Sequence, residues 1–365
     1  MTIKRRMLQA LNRVLAPTGF SLQRWAVHRP DRTVVDASHP MTRALCASAC
    51  FGQDRVTVVD VGCSGGLDER WRVFGDQLRA WGIDAMTEEC ARLRALERNP
   101  GVQYLDARLG VARDHPVLRG RPQGAMPRRN PWARLSVESA LAIRRRQGRG
   151  RAEALRSNEW PEQALSPRLL TVDELLETQK IDDLDFLKID VDGPDYEVLA
   201  GFAPHLDRLH TLGLKLEVNF FGTAEEDTNS FHNTDRLLRR HGFELFGLTT
   251  RNYSMAALPA VFSWGALGPT AFGRILQGDA VYFRDPLGEE RPAELSATRL
   301  LKLACMFELF DLPDCAAEIL LRFGDSIGRK DTAQLLDLLV PRLDGDNLSY
   351  EKYLARFNAD PRSFI

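Results

Sequence analysis

No stretch of the 365 residues reaches the run of about 18 apolar side chains that a membrane-spanning helix needs. The N-terminus also lacks the basic, apolar and small-residue order of a secretory signal. Cysteine is scarce, with six residues at 46, 50, 63, 90, 305 and 315. Cys46 and Cys50 have no second pair to complete a zinc site, and their spacing suits successive turns of one helix. Buried free thiols in a reducing cytoplasm fit this usage. There is no G-K-[ST] phosphate loop. None of the seven histidines falls into an HxH or HExxH spacing. His232 and His241 flank a helical stretch and read as surface residues, with His232 open as a general base. An excess of one charge is missing too. Lys and Arg total 49 against 50 Asp and Glu, for a net charge of -1, so nothing general points to nucleic acid. No aromatic platform accompanies the basic segments.

The composition that is present, 44% hydrophobic and 27% charged, belongs to a globular chain long enough for one large domain or two. Charge is uneven along it. Residues 1–30 carry Lys4, Arg5, Arg6, Arg13, Arg24 and Arg29 and no acid. Their opening reads as a helix with Met7, Leu8, Leu11, Val14 and Leu15 near one face. Such a helix can pack on a domain edge, or touch an anionic membrane peripherally.

From residue 56 the pattern alternates. Strands are expected at 56–62, 81–84 and 102–107, with helical stretches at 67–80 and 87–98 between them. This βαβαβ order predicts a Rossmann-like, open, mostly parallel sheet. The alternation then breaks, because residues 111–160 hold twelve arginines and four acids, too long a connection for an ordinary loop. That arginine-rich insertion, bounded at 111–167, reads as a lid whose arginines are either solvated or face an anionic substrate. Beyond it, Thr171 and Glu174 form a capping box for helix 171–179, and Pro194 suits the first turn of helix 194–202. Strands are expected at 184–190, 212–218, 244–250 and 279–285, which makes seven, with helix 233–243 stopped by Gly242. Residues 292–340 change to amphipathic helices, with packing or homo-oligomer formation as the economical role.

The turn after the first strand is Val59-Asp60-Val61-Gly62-Cys63-Ser64-Gly65-Gly66. Glycines there let a ligand approach the backbone closely. The spacing is not G-x-G-x-x-G, and Asp60 would repel a pyrophosphate while suiting a cationic ligand. Asp84 follows the second strand, where a carboxylate can accept both ribose hydroxyls; the bland alternative is a cap for helix 87–98. Asp106 ends the third strand, within reach of an adenine amino group or simply at the surface. Suitable acids at consecutive strand ends carry more weight than any one of them.

Leu187-Lys188-Ile189-Asp190-Val191-Asp192-Gly193 is the second strong feature. Alternation puts Lys188, Asp190 and Asp192 on one side. Asp190 can steer a cofactor, hold a metal or accept a substrate proton, Asp192 reads as a helix cap, and Lys188 reads as a partner of Asp190 or a structural ion-pair partner. Glu217 on the next strand can reach the same crevice, but two carboxylates do not define a metal site, and none is assigned.

Together VTVVDVGCSGG, WGIDAMTEECARLRAL, VQYLDARLG, TVDELL, LDFLKIDVDGPDYEVLAGF, LKLEVNF and HGFELFGL resemble the FkbM family of S-adenosylmethionine-dependent methyltransferases, over roughly 54–110 and 168–285. The resemblance implies S-adenosylmethionine as cofactor and methyl transfer to a hydroxyl of a sugar or other small metabolite. It implies that Asp60, Gly62, Ser64 and Gly66 form the cofactor loop, that Asp84 takes the ribose and that Asp106 sits beside the adenine. Asp190 as base and Glu217 as orienting group are the expected catalytic pair. Ser64 and Gly65 depart from the family, which often has asparagine and a bulkier residue there. The expected organisation is a basic N-terminal extension (1–50), the methyltransferase domain (51–290) and a helical C-terminal extension (291–365). A nicotinamide-dependent oxidoreductase on a related fold, a nucleic-acid methyltransferase and a scaffold with a degenerate pocket are the competing readings.

Overall fold

The computed structural model describes residues 33–34, 36–52, 54–118, 166–191, 193–220, 229–253, 273–288 and 294–364. The basic opening segment, most of the arginine-rich insertion and Asp192 lie outside these residues.

Seven strands form the main sheet: β1 (Val56–Val61), β2 (Leu78–Asp84), β3 (Val102–Asp106), β4 (Phe186–Ile189), β5 (Gly213–Asn219), β6 (Phe243–Tyr253) and β7 (Arg274–Arg284). Their order across the sheet is β3-β2-β1-β4-β5-β7-β6. Neighbours from β3 to β5 pair in parallel, and β7 runs antiparallel to both β5 and β6. The sheet is therefore the open, mostly parallel one expected, with one strand reversed. All six residues of β1 are buried, as a central strand covered on both faces requires.

Alternation divides the core in two. Val56, Val58, Leu78, Ala80, Val102, Tyr104, Phe186 and Phe283 face one layer. Val59, Val61, Trp81, Ile83, Leu187, Ile189, Leu214, Leu216 and Val218 face the other. Four helices lie between the strands or before them: α1 (Pro40–Ala47), α2 (Thr87–Leu96), α3 (Val172–Gln179) and α4 (Asp195–Phe202). The next is α5 (Phe231–Arg240). Its stop is as expected, with Gly242 in the left-handed region at φ 76°. The capping box at Thr171 and Glu174 is formed in both directions.

The stretch 67–80 departs from the expected helix. A 3₁₀ segment covers Glu69–Gln77, broken at Gly75 (φ 52°, ψ −124°), and β2 begins at Leu78. Three residues per turn put Trp71 and Phe74 on the same side, and both are buried. Past the glycine, Leu78 and Ala80 alternate into the core as strand residues.

The last helices are α6 (Ala297–Leu309), α7 (Pro313–Ile327), α8 (Thr332–Leu339) and α9 (Tyr350–Ala359). Helices α6, α7 and α8 share one hydrophobic cluster with β1, β2 and α1, so they cover a face of the sheet. A buried ionic knot fastens α6 beneath it. Lys302 is fully buried, its Nζ 2.7 Å from Asp54 Oδ1, 2.8 Å from the Arg55 carbonyl and 2.9 Å from Asp185 Oδ2. Burial pushes the Asp185 carboxyl up to about 6 even though Lys302 opposes the shift. Breaking a buried pair leaves an uncompensated charge, so Lys302→Met should lower stability by about 3–5 kcal/mol in urea unfolding. A loss below about 1 kcal/mol would contradict an integral role for α6. Among the described residues, no helix is long and apolar enough to cross a membrane.

Candidate active site

Strand register puts the sequence-identified acids into rows across the carboxyl half of the sheet. Tyr104, Gly82, Asp60, Lys188 and Lys215 are successive cross-strand partners from β3 to β5. Two residues further on, Asp106 pairs with Asp84, and Glu217 pairs with Asp279 of β7. Because side chains alternate with period two, both rows lie on the same face.

The glycine turn joins the rows. Gly62 has φ 81°, and a Cβ there would come within 1.7 Å of the Asp190 carbonyl oxygen, so no other residue fits without moving the β4 end. Gly65 and Gly66 follow at φ 88° and 104°. The amides of the turn are committed within the protein. Those of Gly62 and Cys63 donate to the Ile83 carbonyl at 2.8 and 3.3 Å. The Ser64 amide donates to the Asp84 carboxylate, and the Gly65 amide to Glu89 Oε1 at 2.9 Å. Gly66 donates to the Cys63 carbonyl at 2.8 Å and Leu67 to Tyr104 Oη at 3.3 Å. Six consecutive donors are thus taken. A loop built to hold a pyrophosphate presents its amides to the ligand, and this one does not.

Lys188 is the centre of charge. Its Nζ donates to the Gly62 carbonyl at 2.6 Å and lies 3.0 Å from Asp60 Oδ1 and 3.7 Å from Asp190 Oδ2. Burial works against the ammonium, but Asp60 and then Asp190 outweigh it and raise its pKa. Burial also pushes the Asp60 carboxyl up, with Lys188 pulling it back. The sequence offered Lys188 as a partner for Asp190; Asp60 is the nearer one.

Asp84 is 8% exposed, and burial raises its pKa while the Met86 and Ser64 amides oppose the shift. The Met86 amide donates to Oδ1 at 2.8 Å, so the helix-entry role and a ligand-facing role coexist in one carboxylate. Asp106 accepts a hydrogen bond from Arg94, which holds its carboxyl below the usual range. Glu217 is ion-paired to Arg251 of β6, which also reaches Asp279 at 3.3 Å. The Asp190 side chain is 46% exposed, one residue past the carboxyl end of β4.

Several participants had no clear sequence signal. Asp195 accepts from the Val191 and Gly193 amides at 2.9 and 3.0 Å and braces the turn after β4, and burial pushes its carboxyl up to about 6. Glu89, held at about 2 by Arg92 and the Gly65 amide, braces the glycine turn. Acids recurring beside a glycine turn were a usable hint for Glu89. Arg251 had none, since its partner Glu217 is 34 residues away. His232 is exposed, with its ring 3.4 Å from Ser230 Oγ.

A cavity of about 420 Å³ lies elsewhere, along the outer strand β3 between Arg94 and Leu105. The residues that could hold a cofactor are those of the rows. The close-approach glycine, the acid at the β2 end and an acid-rich face suit a cationic nucleoside ligand without phosphates.

The sheet order with its one reversed strand is consistent with a Rossmann-like methyltransferase fold. Residues 95–245 match the family described as the Methyltransferase FkbM domain. Asp106, Asp190 and Glu217 fall inside the match; the glycine turn and Asp84 precede it. S-adenosylmethionine is the cofactor of this domain. No curated protein matches the chain. Solved structures with some likeness include a TehB-like S-adenosylmethionine-dependent methyltransferase from Corynebacterium glutamicum, 14% identical, covering 77% of this chain and 97% of its own, with a TM-score of 0.24. A methyltransferase from Aquifex aeolicus is 12% identical, covering 71% and 95%, at 0.27. Magnesium protoporphyrin IX methyltransferase from Synechocystis with bound S-adenosylhomocysteine is 9% identical, covering 76% and 99%, at 0.26. Scores this low carry no weight for this chain's residues or substrate.

Proposed function

We propose that the protein methylates a hydroxyl oxygen of a sugar or other small metabolite. The observation that carries this reading is the row of acids Asp106, Asp84, Glu217 and Asp279 beside a turn whose amides are already committed. That arrangement favours a sulfonium nucleoside over a dinucleotide. When bound, S-adenosylmethionine supplies an electrophilic methyl group.

The chain's own residues then divide the work. Gly62 keeps the backbone close enough for contact, and Gly66 and Ser64 shape the rest of the loop. Asp60 adds negative charge beside it. Asp84 accepts the ribose hydroxyls, and Asp106 lies toward the adenine. Asp190, exposed past the end of β4, takes the proton of the acceptor hydroxyl as its oxygen gains the methyl. Glu217, fixed by Arg251, orients the acceptor rather than moving a proton. The cysteine chemistry agrees with a cytoplasmic setting, since all six thiols are free.

General-base removal is worth about 10²–10⁴-fold in rate. Asp190→Asn should therefore lower kcat about 100-fold while S-adenosylmethionine affinity stays within about threefold. Near-normal turnover in that variant would remove Asp190 from the chemistry. The acceptor itself is tested by incubating the protein with methyl-labelled S-adenosylmethionine and a cell extract. A labelled O-methyl small molecule is expected; label only on nitrogen, or only in macromolecules, would overturn the acceptor class.

A further inference from the structure

The committed amides of the glycine turn do not share one kind of partner. Gly62 and Cys63 donate to the Ile83 carbonyl, Gly66 to the Cys63 carbonyl and Leu67 to the Tyr104 hydroxyl. Only Ser64 and Gly65, in the middle of the turn, donate to carboxylates. Ser64 meets Asp84 at the end of β2, and Gly65 meets Glu89 in the first turn of α2, at 2.9 Å. Consecutive amides given to anions are the means by which a backbone loop holds phosphate. Here the anions belong to the chain itself.

The two carboxylates are held differently. Asp84 ends a strand and also accepts the Met86 amide. Glu89 reaches the turn from the helix, with its side chain largely covered. Arg92, one turn further along α2, grips both its oxygens, Nε to Oε2 at 2.7 Å and a terminal nitrogen to Oε1 at 2.6 Å. Arg92 and the Gly65 amide hold the Glu89 carboxyl at about 2, so it is ionised at neutral pH. Its charge adds to burial in raising the Asp84 carboxyl. Without Glu89, the turn would present an open N–H, a guanidinium beside it and one negative charge fewer, which is what a phosphate needs. The space is there as well, since no atom lies within 4 Å of where a Cβ on Gly65 would stand.

We propose that Glu89 is a specificity-determining residue, whose carboxylate fills the anion position of the glycine turn and so keeps phosphate-bearing nucleosides out of the crevice. The inference rests on the S-adenosylmethionine reading of that crevice and adds what excludes its phosphorylated competitors.

Adenosine diphosphate is the probe, titrated calorimetrically into the full chain beside S-adenosylmethionine. Glu89→Ala frees the amide and removes the charge, so it should bind adenosine diphosphate at least about tenfold tighter than the unaltered chain. Glu89→Gln keeps an acceptor for the Gly65 amide and loses only the charge, so its gain should be smaller, about threefold. Glu88→Ala removes an exposed charge from the same helical turn without freeing the amide, and should change the affinity by less than about twofold. S-adenosylmethionine should displace the nucleotide from Glu89→Ala. The proposal is overturned if Glu89→Ala binds adenosine diphosphate no tighter, if Glu88→Ala gains as much, or if adenosine without phosphate gains as much. Nucleotide that S-adenosylmethionine fails to displace would lie elsewhere and overturn it too. In each of those cases S-adenosylmethionine binding by the unaltered chain leaves the cofactor reading standing. A folded chain that ignores S-adenosylmethionine would overturn that reading and this inference together.

Discussion

Asp84→Ala is expected to weaken S-adenosylmethionine binding by at least about 100-fold, the largest effect of any single change at the crevice. Two charge-assisted hydrogen bonds to ribose are worth about 1.5–3 kcal/mol each. The same carboxylate accepts the Met86 and Ser64 amides, so its loss also loosens the glycine turn. Asp106→Ala gives the contrast. Arg94 already holds that carboxylate, so its removal should cost about tenfold or less. Calorimetric titration of both variants checks the pair. Equal losses would mean that the rows do not distinguish a ribose acceptor from a strand-edge ion pair.

Lys188→Met is the second large effect, and it acts first on the fold. Asp60 is 5% exposed, and Lys188 is its counter-charge. Removing the ammonium strands a buried carboxylate and releases the Gly62 carbonyl, at a cost of about 3–5 kcal/mol. The double variant Lys188→Met/Asp60→Asn should recover most of that stability, because both charges are then gone. Urea unfolding of the two single variants and the double gives the coupling directly. Additive losses would show that Lys188 and Asp60 do not act as a pair.

Much of this was legible in the chain because parallel strands buried on both faces read as β-branched runs. Val56–Val61 is such a run, Phe186–Ile189 is a short apolar stretch around Lys188, and strand ends then locate Asp84, Asp106 and Asp190 without knowledge of the packing. The expected helix at 67–80 failed at Gly75, whose positive φ ends the 3₁₀ segment and frees Leu78 to join the sheet. That glycine was a breaker signal outweighed by the apolar spacing. Partner choice was the part hidden from sequence. Arg251 meets Glu217 only because reversed β7 lies between β5 and β6. Lys302 sits on an apolar helix face, and its meeting with Asp185 depends on where α6 docks beneath the sheet. Amphipathic spacing says that a helix face is buried but not what it is buried against.

The central claim is that the committed turn and the acidic row at the strand ends select a sulfonium nucleoside. Calorimetric titration of the folded full chain with S-adenosylmethionine and, separately, with NAD tests it most directly. One S-adenosylmethionine per chain, strongly weakened by Asp84→Ala, and no heat from NAD is the expected result. A folded protein that ignores S-adenosylmethionine, or that binds NAD in its place, would contradict it.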